Sequence, residues 1–176
     1  MDYQALEEHI KDSVMEEQAK LGFRKEVIRL YYPVGMLNNL FGTACDAEEM
    51  QQALAGFTDF AKERLGEVTI THKKDRFCLI LPEETSVYVH EHKKENEFIH
   101  QLVNLIASHE TDMEQVKKLF EQQPFPSVVE QTTGGEFDTV IHFTQGDDRY
   151  YYCFKDEGFH ITYHRFLPAD YKDLGV

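Results

Sequence analysis

Nine histidines, His9, His72, His90, His92, His100, His109, His142, His160 and His164, are the side chains of this chain best suited to chemistry near neutral pH. Between Phe159 and His164 the order Phe-His-Ile-Thr-Tyr-His alternates ring and aliphatic side chains with polar ones. On a strand, His160 and His164 therefore share the face opposite Ile161 and Tyr163. His142 stands in the same relation to Ile141 and Phe143. Three imidazoles on one sheet face, with Asp138 or Glu136 beside them, are the donor set of an open metal site. Residues 160 and 164, however, would lie about 13 Å apart on an unbroken strand, too far to share one ion. His90 and His92 are the second candidate pair. On a strand they would project side by side about 7 Å apart, whereas on a helix they would diverge. Glu97 and His100 make one Glu-x-x-His step, where a di-iron bundle needs two, so a surface pair is the favoured reading.

Aromatic residues supply the other candidate. Tyr150, Tyr151 and Tyr152 are consecutive, and with Tyr163 and Phe166 they form a possible aromatic platform for a protein partner. Lys20, Arg24, Lys25 and Arg29 are the one local concentration of positive charge; on a helix they fall on nearby turns and could hold an anion, but salt bridges to Glu16, Glu17 and Glu26 are the favoured reading.

Several catalytic chemistries are missing their motifs. Gly-x-Ser-x-Gly does not occur, and Gly134-Gly135 lacks the Gly-Lys-Ser/Thr ending of a phosphate loop. Cys45, Cys78 and Cys153 are odd in number and widely spaced, which suits buried thiols better than a disulfide framework or a zinc ribbon. No cofactor is implied beyond a possible divalent metal.

The elements that must position these residues are legible in part. Leu6, Ile10, Val14 and Leu21 form a helical stripe closed by Gly22. Asp46 with Glu49 caps a second helix, whose buried stripe is Met50, Leu54, Phe57, Ala61 and Leu65. Val68 to Thr71 and Phe77 to Leu81 make a hairpin across Lys73-Lys74-Asp75. A long helix is predicted from Glu95 to His109, and another is boxed by Thr111 and Glu114. Residues 24 to 32 and 87 to 92 read as either strand or helix, the strand being slightly favoured in the first.

The last third is an antiparallel meander. Its strands are Ser127 to Thr132, Phe137 to Thr144, Arg149 to Lys155 and Phe159 to Phe166, separated by Gly- and Asp-rich turns. Pro168 to Val176 are expected to fray. Helices, a hairpin, more helices and a meander give an α+β fold, with the sheet packed on amphipathic helices, and one domain over residues 1 to 176.

Charge bounds the partners. With 18 Lys and Arg against 32 Asp and Glu, the formal net charge is −14, spread along the chain. Phosphate binding rests on cations, so nucleic acid is disfavoured unless the few cations gather on one face. No apolar run approaches a membrane span, and Met1 to Glu8 is acidic where a signal peptide is basic, so a cytoplasmic protein is expected.

The run Glu17-Gln18-Ala19-Lys20-Leu21-Gly22-Phe23-Arg24-Lys25-Glu26, with Ile28-Arg29-Leu30-Tyr31-Tyr32-Pro33 and Leu37-Asn38, resembles the N-terminal block of a small bacterial family of unknown function. The resemblance implies a bacterial cytoplasmic protein and brings no activity or site residue with it. The leading expectation is a non-catalytic module acting on a protein partner or on its own copies. A metal-dependent hydrolase or sensor using the strand histidines is the alternative.

Overall fold

The computed structural model describes residues 1–92, 96–108 and 110–175. It is α+β, with seven helices and two antiparallel sheets among those residues. The chain divides into two compact units, Met1–Glu95 and Asn96–Val176.

The first unit contains α1 (Tyr3–Leu21), β1 (Ile28–Pro33), α2 (Val34–Phe41), α3 (Ala47–Leu65), β2 (Thr69–Lys73), β3 (Arg76–Leu81) and α4 (Glu83–His92). The stripes read from periodicity are its core except at Leu21, which sits at the last turn of α1 and is 54% exposed. Leu6, Ile10 and Val14 of α1 meet Met50, Leu54, Phe57, Ala61 and Leu65 of α3, all fully buried. Asp46 and Glu49 form the expected reciprocal capping box, which satisfies backbone N–H groups that the first helical turn leaves without partners. Gly22 ends α1 at φ 80°, donating its N–H to the Gln18 carbonyl.

Both ambiguous stretches are resolved by tertiary pairing. Residues Ile28–Pro33 are strand because β3 offers a free edge, and β3 becomes the centre of a sheet ordered β1-β3-β2. Residues 83 to 92 are helix despite the strand-loving Val87-Tyr88-Val89, so the third strand considered there is corrected to α4. Thr85, Ser86 and Val89, at helical spacing, are the side chains that reach the core. Their hydroxyls are satisfied: Thr85 donates to the Leu65 carbonyl at 2.5 Å, and Ser86 to that of Arg24.

The second unit contains α5 (Glu97–Ala107), α6 (Met113–Glu121), β4 (Ser127–Gln131), β5 (Thr139–Phe143), β6 (Tyr151–Asp156), β7 (Ile161–Phe166) and α7 (Pro168–Asp173). Glu95 and His109, the predicted limits of the long helix, lie outside the described residues. The cap of α6 is Asp112 with Gln115, not Thr111 with Glu114. The meander runs β4-β5-β6-β7 with short antiparallel connections, as its turn residues demand.

Strand alternation gives this sheet two faces. One carries Ile141, Phe143, Tyr152, Phe154 and Tyr163 and is packed by α5 and α6 through Phe98 and Phe120. Phe98 and Phe120 meet edge to face at 4.8 Å, and both lie within 5.7 Å of the Tyr152 ring. On the other face, Phe137, Val140 and Cys153 form a smaller core with Tyr151, Phe166 and Tyr171 against it. Tyr171 comes from α7, in the segment expected to fray. Pro at the first turn and an apolar contact hold that helix in place. Val176 lies outside the described residues.

Candidate binding face

The five candidate aromatic residues, Tyr150, Tyr151, Tyr152, Tyr163 and Phe166, are divided by the strand period. Tyr152 and Tyr163 are buried on the helix-packed side. Tyr150, just before β6, is buried beneath the Arg165 guanidinium, 4.4 Å from the ring centre. Tyr152 donates its hydroxyl to Asp148 Oδ2 at 2.6 Å; burial, with the Asp148 charge adding to it, pushes this phenol well above its ordinary pKa. Tyr151 and Phe166 are register partners on the opposite side, half-buried. Tyr151 stacks between His142 at 4.2 Å and Tyr171 at 4.9 Å.

The candidate metal ligands are dispersed. His142 is paired in register with Tyr151, and His164 with Cys153, so they share a face but occupy different rows two strands apart, about 12 Å by sheet geometry. His160 precedes β7, its Nε2 3.7 Å from a Glu157 carboxylate oxygen. On α4, His90 stacks on Phe23 at 4.0 Å, while His92 stacks on Tyr88 at 4.3 Å. Two residues apart on a helix point about 200° around the axis, so this pair diverges. Among the described residues no group of three or more His, Cys, Asp or Glu side chains is placed to hold one ion. A cavity of about 620 Å³ opens beside the Thr132 to Phe137 loop and Tyr171; Glu130 and Glu136 are the charged groups that line it.

A different surface stands out in the first unit, on the side of the β1-β3-β2 sheet away from the helices. Alternation sends Ile28, Leu30, Tyr32, Phe77, Leu79 and Leu81 inward, where Phe77, Leu79 and Leu81 are buried and Tyr32 is almost fully so. Burial holds the Tyr32 phenol far above its usual pKa, with a hydrogen bond to Ser13 opposing the shift. Their neighbours point outward in three rows across the sheet: Arg29, Ile80, Thr69; Tyr31, Cys78, Thr71; Pro33, Arg76, Lys73. The central row has Tyr31 with 61% of its surface exposed.

Three of these nine side chains are cations and none is an acid. Among the described residues, no carboxylate lies within ion-pair distance of Arg29, Lys73 or Arg76. In a chain with 32 acids, that local excess needs a structural cause. The cause is the fold: residues 29, 73 and 76 come from three strands and meet only because β3 pairs with both β1 and β2. Lys73 and Arg76 are direct register partners, and Arg29 sits about 14 Å from Arg76, with Tyr31 between. The cationic run read along the sequence is not one surface. Lys20 is tied to Glu16 at 2.8 Å, Lys25 approaches Glu83, and Arg29 alone joins the sheet. The alternation in Arg29-Leu30-Tyr31-Tyr32 was the signal for this face, obscured because the stretch also fits a helix.

No helix among the described residues is long and apolar enough to cross a membrane. A family model described as "Domain of unknown function, E. rectale Gene description (DUF3877)" matches residues 3–175. No curated protein and no solved structure matches the chain.

Proposed function

From the premise that the chain belongs to the DUF3877 family, a domain of unknown function, we propose that it is a non-catalytic protein-binding module of the bacterial cytoplasm, which receives an acidic, extended segment of a partner on the open face of the β1-β3-β2 sheet. One observation carries this reading: Tyr31 lies exposed on a face whose nine outward side chains include Arg29, Lys73 and Arg76 and no acid, and among the described residues no carboxylate lies within ion-pair distance of those three cations. Tyr and Arg are the residue types that dominate interface energetics, because a ring and a planar guanidinium gain much contact for little lost freedom. The cytoplasmic setting is supported by three unpaired cysteines. The bacterial setting is supported by the family description and the N-terminal resemblance.

Magnitudes set the kind of complex. Covering the Tyr31 ring is worth about 1.5–3 kcal/mol, whereas each exposed ion pair adds about 0.2–1 kcal/mol. The ring therefore supplies affinity and the cations select the partner's sign. A three-stranded face of roughly 15 by 15 Å falls below the size of a permanent interface, so the complex is transient. Single-stranded nucleic acid fits less well. Three cations give a salt slope of only about −2, and the −14 net charge opposes a polyphosphate.

Fluorescence anisotropy with a labelled peptide of alternating Glu and Leu tests the proposal. Binding that weakens with salt, and that falls at least about tenfold in Arg29→Glu combined with Arg76→Glu, supports it. Absence of binding, indifference to charge reversal, or tighter binding of an oligothymidine than of the peptide overturns it.

A further inference from the structure

We infer that β4 pairs edge to edge with β4 of a second copy, joining the two four-stranded sheets into one. This surface lies in the second unit and is separate from the basic face, so neither proposal depends on the other. Among the described residues the two sheets have four edge strands, and three carry cations or proline that discourage strand addition: Arg29 and Pro33 in β1, Lys73 in β2, Arg165 in β7. The sequence of β4, Ser-Val-Val-Glu-Gln, has no Lys, Arg or Pro, and two strand-forming valines stand exposed in it.

The ladder fixes which backbone groups of β4 are free. Thr144 donates its N–H to the Pro126 carbonyl, and Thr132 donates to that of Asp138. With the β4/β5 register, this makes Val128 and Glu130 the residues that bond to β5, so the N–H and C=O of Ser127, Val129 and Gln131 point outward. An antiparallel two-fold axis through Val129 sets Ser127 against the partner's Gln131 and Val129 against the partner's Val129. All three outward residues then form bonded pairs on each side.

The same register is chemically self-complementary. Glu130, the sole charge on β4, faces the partner's Val128 and not its own counterpart. The apolar row Tyr152, Ile141, Val129, already aligned across three strands, continues through the axis into the partner's Val129. Opposing this is the −14 carried by each chain, a repulsion that acts through solvent and is therefore screened by salt. Dimerisation strengthens as salt is added, the opposite sign from binding at the basic face.

Sedimentation velocity of the full chain at about 0.1 mM, in low and high salt, reads the result directly. Expected is a mass of twice 20.6 kDa that salt stabilises. Val129→Pro removes an outward N–H without touching the β5 ladder, and Val129→Lys places like charges in opposition. Each should weaken the dimer at least about tenfold, with an unchanged circular dichroism spectrum. A wild-type monomer at that concentration, a dimer that survives both substitutions, or one lost in Arg29→Glu but kept in Val129→Lys overturns the inference.

Discussion

Tyr31 lies directly opposite Cys78 across β1 and β3, and both project from the open side of the sheet. The thiol is therefore a reporter placed at the centre of the proposed binding face. Cys45 and Cys78 are partly exposed, whereas burial pushes the Cys153 thiol up to about 12. At pH 8 a thiol-reactive disulfide should label Cys45 and Cys78 quickly in the native protein, with Cys153 reacting only on unfolding. Saturating acidic peptide should slow Cys78 and leave Cys45 unchanged. Equal protection of both would place the peptide elsewhere.

Tyr31→Ala should separate binding from folding. The ring is mostly in solvent, so stability should change by less than about 0.5 kcal/mol while peptide affinity drops at least about fivefold. A large loss of stability in urea would show that Tyr31 serves the fold.

Glu7 makes a buried ion cluster with two cations, Lys11 at 2.5 Å and Arg64 at 2.8 Å. Burial raises the carboxyl pKa, but hydrogen bonds from Arg64 and Lys11 outweigh that and leave it below its usual value of 4.5. A depressed folded-state pKa contributes stability above the unfolded value and loses it as pH falls through the folded one. Glu7→Gln should cost about 1–3 kcal/mol at pH 7, and the gap from wild type should narrow below about pH 4.5. A gap independent of pH would assign the loss to packing.

Phe120 is fully buried and touches Phe98, Phe143, Tyr152 and Phe154. Phe120→Ala should cost about 3–5 kcal/mol, because the surrounding rings cannot close the cavity. Hydrogen exchange should show the loss in β5 and β6, which carry three of those rings; uniform loss along the chain would contradict this placement.

Lys74 turns the β2–β3 hairpin at φ 56°, a conformation that strains any side chain with a Cβ. Lys74→Gly should raise stability by about 0.5–1 kcal/mol in denaturant titration. A decrease would mean that the lysine stem makes compensating contacts.

Much of the secondary structure was local information. The Asp46–Glu49 box, the Gly22 terminator and the apolar stripes of α1 and α3 act within a few residues, so sequence spacing alone identified them. The meander was likewise set by its turns and strand propensities. What proximity in sequence could not carry was decided by pairing. β1 became strand because β3 accepted its ladder, and α4 became helix because Thr85 and Ser86 found carbonyls to bond, against the strand preference of Val87 to Val89. Charge counted along the chain shows acid in every segment, yet Arg29, Lys73 and Arg76 share one sheet face whose nine outward side chains include no acid. Sequence determines which side of a strand each residue occupies; only the assembled sheet decides which distant residues share that side, because its hydrogen-bonded neighbours lie tens of residues away.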